Sequence, residues 1–264
     1  MKKKTSSRLR LGYLILIITL MYLPLITVVI FSFNSSKYQT RFTGFSFQWY
    51  LSLFKNERLT ESLINSLILA FSTTLLSAII GTLGALGLAK TRYKLNRPVS
   101  FIATLPLMIP EIILGMVFLA FFTLLSLPFG FTTLLIGHTA FCVPYIMIMV
   151  SGALRDMDKA LEEAARDLGA GRKRAFFDIT LPLLAPSIAA GSILAFAMSF
   201  DDVVISVFVN SPHFVTLPVR VYTQLKTGVT PEINALCTIM LALSVIAVIL
   251  YSKLTDKKEK HAND

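Results

Sequence analysis

Leu161–Pro186 reads LEEAARDLGAGRKRAFFDITLPLLAP, a charged, Ala-rich stretch flanked on both sides by strongly apolar sequence. Leu161, Ala164, Ala165 and Leu168 recur at helical spacing, so they form one narrow apolar face between Glu162, Glu163, Arg166 and Asp167. Alanine on that face lets another surface approach the backbone closely. Gly169 and Gly171 then stop the helix and turn the chain. A second short piece, Arg172–Thr180, precedes Leu181 and Pro182, where a new apolar run opens with proline in its first turn. Residues 155–180 hold six basic and six acidic side chains. A helix that binds a lipid surface is rich in Lys and Arg, so this balanced one reads as a docking element for a protein.

The surroundings decide the fold class. The chain has 264 residues, 55% hydrophobic and 15% charged, against about 25% charged in an ordinary soluble domain. Six apolar runs are long enough to cross a bilayer, which takes ~20 residues of helix. They are Leu11–Phe33, Ser62–Ala89, Val99–Leu127, Thr132–Leu154, Leu183–Val209 and Ile233–Leu254. Open strands cannot satisfy their backbone in lipid, so the expectation is an all-α polytopic membrane protein, a single domain over 1–264 with six transmembrane helices. The docking region, 155–182, lies between spans four and five.

The net charge of +10 is placed for orientation, not for nucleic acid. Lys2, Lys3, Lys4, Arg8 and Arg10 precede span one, and Lys90, Arg92, Lys94 and Arg97 follow span two. Arg155, Lys159, Arg166, Arg172, Lys173 and Arg174 follow span four, and Lys253, Lys257, Lys258 and Lys260 follow span six. These alternate segments carry 19 of the 25 Lys and Arg, the asymmetry of cytoplasmic loops. Both termini and the docking region are therefore expected in the cytoplasm. The first apolar stretch lacks a small-residue cleavage site and reads as an uncleaved anchor. Cys142 and Cys237 lie within spans and have no metal-ligand spacing, so they read as packing residues.

The opening stretch also resembles a known motif. Glu163, Ala164 and Ala165, then Gly169, Ile179, Leu181 and Pro182, are similar in identity and spacing to the EAA motif of ABC importer permeases. FNSSKY (33–38), Trp49 and Tyr50, SFDDVVISVFV (199–209) and VTPEINALCTIM (229–240) extend the resemblance to the spermidine/putrescine permeases of that family. The resemblance implies a type I importer core in a bacterial inner membrane, with 155–182 as the coupling region. It implies these partners: a cytoplasmic ABC ATPase in two copies, a second homologous permease, and an extracytoplasmic polyamine-binding protein docked near residues 34–61 and 210–232. ATP and Mg would be held by the ATPase. This chain is then a transport subunit and not an enzyme, with no cofactor or metal of its own. Its residues agree, because a phosphate loop needs G-x-x-x-x-G-K-[ST] and GAGRKRAF lacks it.

Three acids lie inside predicted spans: Glu111, Asp201 and Asp202. No Lys or Arg shares those spans. A charge at mid-bilayer costs ~2.5–3.5 kcal/mol even on insertion scales, so such acids face a cavity or a partner. Glu111 follows Pro110 about 14 residues beyond Arg97, roughly 20 Å of helix. Asp201 and Asp202 are adjacent and so ~100° apart on a helix; Asp202 lies closer to the stripe Ser192, Ser199 and Ser206. That stripe lines a pore or packs helices through hydroxyl contacts. Separated carboxylates suit an extended polycation; the alternative for each acid is a base or amide on a neighbouring subunit. His138 reads as a packed or interfacial histidine, and Gly81, Gly84 and Gly87 as a face of close helix approach.

An ATP-independent cation channel also tolerates acids in its spans but has no use for a docking helix. An aspartyl protease needs its two aspartates on different spans, and no inverted repeat supports a secondary transporter. The same scaffold with another small solute remains the near alternative. Ala165→Asp or Gly169→Pro is expected to leave membrane insertion intact and abolish retention of the ATPase; co-purification from solubilised membranes measures this.

Overall fold

The computed structural model describes residues 2–37, 41–90, 96–228, 230–242 and 245–246. Arg92, Lys94, Tyr38, Val229, the basic residues from Lys253 onward and most of 243–254 fall outside them, so the end of the sixth expected span does too. The architecture is helical, and the described residues contain two isolated β-bridges but no strand. In chain order the helices are α1 (Lys2–Ser32), α2 (Gln48–Lys55), α3 (Glu57–Lys90), α4 (Asn96–Thr104), α5 (Glu111–Leu124) and α6 (Phe131–Asp156). There follow α7 (Lys159–Asp167), α8 (Arg172–Ala175), α9 (Leu181–Asp201), α10 (Val204–Val209), α11 (Leu217–Thr227) and α12 (Pro231–Ala242). Four helical stretches are long and apolar enough to cross a membrane, and a fifth if the bent pair α4–α5 counts as one span.

The chain divides into two compact units, 1–60 with 223–264, and 61–222. In the first, the apolar length of α1 is exposed, as expected of a helix solvated by lipid or by another subunit. Its end is tied down by polar contacts. The Asn34 side chain is buried, accepting from the Thr43 backbone N–H at 2.8 Å and donating to the Arg41 carbonyl at 2.9 Å. The Trp49 indole N–H donates to the Asn34 carbonyl at 2.6 Å, and the Tyr50 hydroxyl pairs with Ser32 Oγ at 2.7 Å. Phe33 stacks on Phe45 at 5.0 Å. The side chains of Ser52 and Asn56 bond the Glu232 carboxylate, fastening α2 to the first turn of α12.

The second unit is built on α6, whose principal neighbour is α9, while α10 packs on α5. The contact is close because glycines meet one isoleucine. A Cβ on Gly81 of α3 would lie 3.0 Å from Ile146 Cβ, and one on Gly191 of α9 would lie 3.1 Å from Ile146 Cα. Ile146 itself is fully buried. Of the expected glycine face, Gly81 makes the tight approach. A Cβ on Gly84 would meet only Met147 Sδ, at 3.6 Å, and one on Gly87 would have nothing within 4 Å.

Several boundaries differ from the sequence reading, each for a local reason. The third span is not continuous: α4 and its 3₁₀ turn Leu105–Leu107 meet α5 at 108°. Pro106 and Pro110 lack the N–H that a helix needs, and Pro110 pushes Ile109 out of the helical region. The fifth span breaks at Asp202 and Val203 instead of running to Val209. Its start moves the other way, because Arg172–Asp201 is one 30-residue helix and Arg172–Thr180 is no separate piece. Pro182 is accommodated inside it by a π-helical turn, Phe176–Thr180, with the Leu181 N–H donating to the Phe176 carbonyl. Widening the turn relieves the carbonyl that the proline ring would strike. The connections 34–61 and 210–232 contain α2, the first turn of α3, and α11.

Gly191→Leu is expected to destabilise the solubilised chain by about 1–3 kcal/mol through overpacking on Ile146. Gly152→Ala, where nothing lies within 4 Å, is expected to stabilise α6 by about 0.5–1 kcal/mol. Thermal unfolding in detergent reads both.

Candidate functional site

The residues of the opening motif build one corner. Asp158 caps α7, its carboxylate accepting from the Ala160 N–H at 2.9 Å. At the other end Gly169 takes φ +89°, a conformation that disfavours any side chain. The Gly169 N–H donates to the Arg166 carbonyl at 2.9 Å, and the Ala170 N–H donates to the Ala165 carbonyl at 3.0 Å. These two bonds are a Schellman closure. They give a physical reason for the spacing: a glycine four residues after Ala165 stands where the helix must end in a left-handed turn.

The closure leaves the apolar face of α7 uncovered. Leu161 is 48% and Leu168 90% exposed, and Ala164 is exposed beside them. Ala165, Gly169 and Ile179 line one recess of about 330 Å³ with Leu168, Ala170 and Ala175. Glu163 lines a second recess with Arg166, Asp167 and Arg172. Leu181 and Pro182 sit in the long helix just past the π turn. The Arg174–Asp178 pair, 3.2 Å apart on that helix, is exposed and contributes little.

The three intramembrane acids separate into two kinds. Glu111 is the first residue of α5, at the bend of the third span, and is exposed. A carboxylate there is favoured by the helix dipole. Asp201, the last residue of α9, is also exposed. Neither makes a hydrogen bond or ion pair with any described residue.

Asp202 is turned inward. Its side chain is 6% exposed and lies 3.3 Å from His138 Nε2. It accepts the Ile205 N–H at 3.2 Å and the Ser206 N–H at 2.7 Å. It therefore caps α10, and both of its oxygens accept bonds from within the chain. His138 is wholly buried, with Nδ1 2.8 Å from Ser199 Oγ and Nε2 3.1 Å from Ser206 Oγ. One imidazole thus bridges the two halves of the broken fifth span. The serine stripe, at Ser199 and Ser206, packs helices through hydroxyl contacts.

Sequence reasoning noted His138 and the heptad serines separately and did not join them. The available signal was the lone histidine in an apolar span facing a serine stripe. Cys142 is buried with its thiol toward the Ala195 carbonyl at 3.5 Å, and no group of three metal-ligating side chains occurs among the described residues.

The family described as binding-protein-dependent transport system inner membrane component matches residues 77–261. This chain belongs to that family. It is a multi-pass membrane permease subunit and not an enzyme, and ATP hydrolysis belongs to a separate subunit. The spermidine/putrescine transport system permease protein PotC of Haemophilus influenzae is 38% identical over 96% of this chain and 98% of its own. The putrescine transport system permease protein PotI of Escherichia coli K12 is 36% identical over 97% and 94%.

Among solved structures, a bacterial ABC transporter that imports the acidic polysaccharide alginate superposes with a TM-score of 0.73 over 97% of each chain, at 18% identity. The MetNI methionine ABC transporter in an inward-facing conformation gives 0.62 over 74% of this permease and 93% of that chain, at 21% identity. The permease therefore carries the importer fold.

His138→Ala is expected to destabilise the permease by about 1–3 kcal/mol, because it removes the side-chain partner shared by the buried Asp202, Ser199 and Ser206. Asp201→Asn is expected to leave thermal stability within about 0.5 kcal/mol of wild type. Parallel melting curves of the two variants in detergent separate the structural acid from the free one.

Proposed function

We propose that this permease moves polyamines into the cytoplasm by alternating access, driven by an ATPase that docks on α7. The cargo reading is supported by the relatives named for spermidine and putrescine, which align with nearly the whole chain. It is supported independently by Glu111 and Asp201, two carboxylates that pair with no described residue, since an anion importer would place bases there. The observation that carries the docking reading is the uncovered face of α7, capped at both ends and too charge-balanced for a lipid surface.

The full reading has one transmembrane domain over 1–264 with six spans, the sixth beginning in α12, and both termini in the cytoplasm. Glu163, Ala164, Ala165, Gly169, Ile179, Leu181 and Pro182 form the coupling corner. A second homologous permease completes the membrane core, two ATPase copies hold ATP and Mg, and an extracytoplasmic polyamine-binding protein delivers cargo at the 34–61 and 210–232 connections.

Mechanically, α7 joins a lever. Arg172–Asp201 is a single helix of 30 residues, about 45 Å long at 1.5 Å per residue, and it ends at Asp201. The elbow Ala170–Gly171 between α7 and this helix is short, so rotation of the docked α7 moves the far end of the lever. ATP-driven closure of the two ATPase copies would therefore reorient Asp201 between one side of the membrane and the other. The widened π turn at Phe176–Thr180, which includes Ile179, gives the lever a compliant point.

Cells that lack their own polyamine importers, expressing this permease with its cognate partners, are expected to take up labelled spermidine only when ATP is available. Asp201→Asn and Glu111→Gln are each expected to reduce that uptake roughly tenfold or more, the scale of one lost charged hydrogen bond. Undiminished uptake in both variants would remove the acids from the pathway. Absence of uptake by an assembled wild-type complex would remove polyamines as cargo.

A further inference from the structure

The long helix α9 has two unlike faces. Gly191, Ala195 and Ser199 are buried against α6. On the other side Ile193 is 71% exposed, Ala197 and Asp201 are exposed in line with it, and Phe196 and Phe200 lie half-buried alongside. Phe196 and Phe200, one helical turn apart, lie nearly parallel, with ring centroids 5.9 Å apart and planes inclined by 10°. Phe71 of α3 continues the row, 5.0 Å from Phe196, and is 65% exposed. Three rings therefore run in series, and the residue after the last of them, Asp201, carries a carboxylate that pairs with no described residue.

We propose that Phe71, Phe196 and Phe200 form a binding wall for the alkylammonium chain of the cargo, with Asp201 taking a terminal ammonium. The proposal rests on the polyamine reading above and assigns it a second set of residues. Ring faces carry the negative part of the aromatic quadrupole and attract ammonium groups, while their surfaces cover methylenes. A compact monovalent cation spans one ring. Three rings in a row match a flexible chain that carries amines at intervals, so the wall selects for length as well as charge.

Charge complementarity supports this occupant. The segment Leu181–Asp201 contains no Lys or Arg, and α3 contains none between Arg58 and Lys90. Plain lipid contact does not suit a face that ends in an unpaired carboxylate. Aromatic packing against the second permease is the competing use of these rings, and it differs in what a ring-for-ring exchange does.

The test uses the complete importer, reconstituted in vesicles with its ATPase and binding protein, and measures initial rates of labelled spermidine uptake. Phe196→Leu, Phe200→Leu and Phe71→Leu are each expected to raise KM for transport roughly three- to thirtyfold, while Phe196→Tyr and Phe200→Tyr stay within about twofold of wild type because the ring face is kept. The leucine variants are also expected to lose preference for spermidine over a short monoamine competitor. Leucine variants that match wild type, in a complex that transports spermidine, overturn the wall and leave the cargo intact. Tyrosine variants as damaged as leucine ones assign the rings to subunit packing and also overturn it. A wild-type complex that assembles but moves no polyamine overturns the cargo reading, and the wall with it.

Discussion

The second unit depends on how closely its helices approach α6. Between helices in lipid the hydrophobic effect offers no net attraction, so association rests on van der Waals packing and on polar contacts. Both are concentrated on one helix here. Ile146 lies between Gly81 and Gly191, whose missing side chains let α3 and α9 close to near-backbone contact. Two turns away, His138 supplies the polar contact to Ser199, Ser206 and Asp202. An enlarged residue at either glycine, or a truncated histidine, acts on the same interface.

That histidine also explains why the fifth span can break without a loose end. A helix that stops in lipid exposes backbone N–H groups with no water to receive them. Asp202 accepts two of these from α10, and His138 holds Asp202 in place. The break then separates two adjacent aspartates by role. One carboxylate is consumed in holding the backbone, and its neighbour is left at the end of a continuous helix with nothing to bind within the described chain. A helix of 30 residues therefore runs from the elbow after Gly169 to an acid that pairs with no described residue.

Much of this was legible in the residues. Apolar run length and the alternation of Lys and Arg establish a multi-pass helical protein, because both reflect the bilayer and not the partner helices. The corner from Asp158 to Gly171 was legible for a local reason too. Cap, helix, left-handed glycine and elbow all lie within one short stretch of chain, and the spacing from Ala165 to Gly169 is what a Schellman closure needs. The prolines marked where the backbone changes but not how: Pro110 stands at a bend of 108°, and Pro182, read as opening a span, follows a π turn inside an unbroken helix.

What the sequence by itself determined, then, was membrane class, the uneven placement of Lys and Arg, the motif around Gly169 and the list of acids within apolar runs. Only the tertiary structure decided which acid was free. Asp201 and Asp202 are chemically identical neighbours, and the sequence separated them only by the closer position of Asp202 to the serine stripe. The choice was made by His138, far earlier in the chain, brought beside Asp202 when α6 packed on α9. A contact between distant segments has no periodicity or spacing to reveal it, so its consequences for the two acids appear only once the helices are in place.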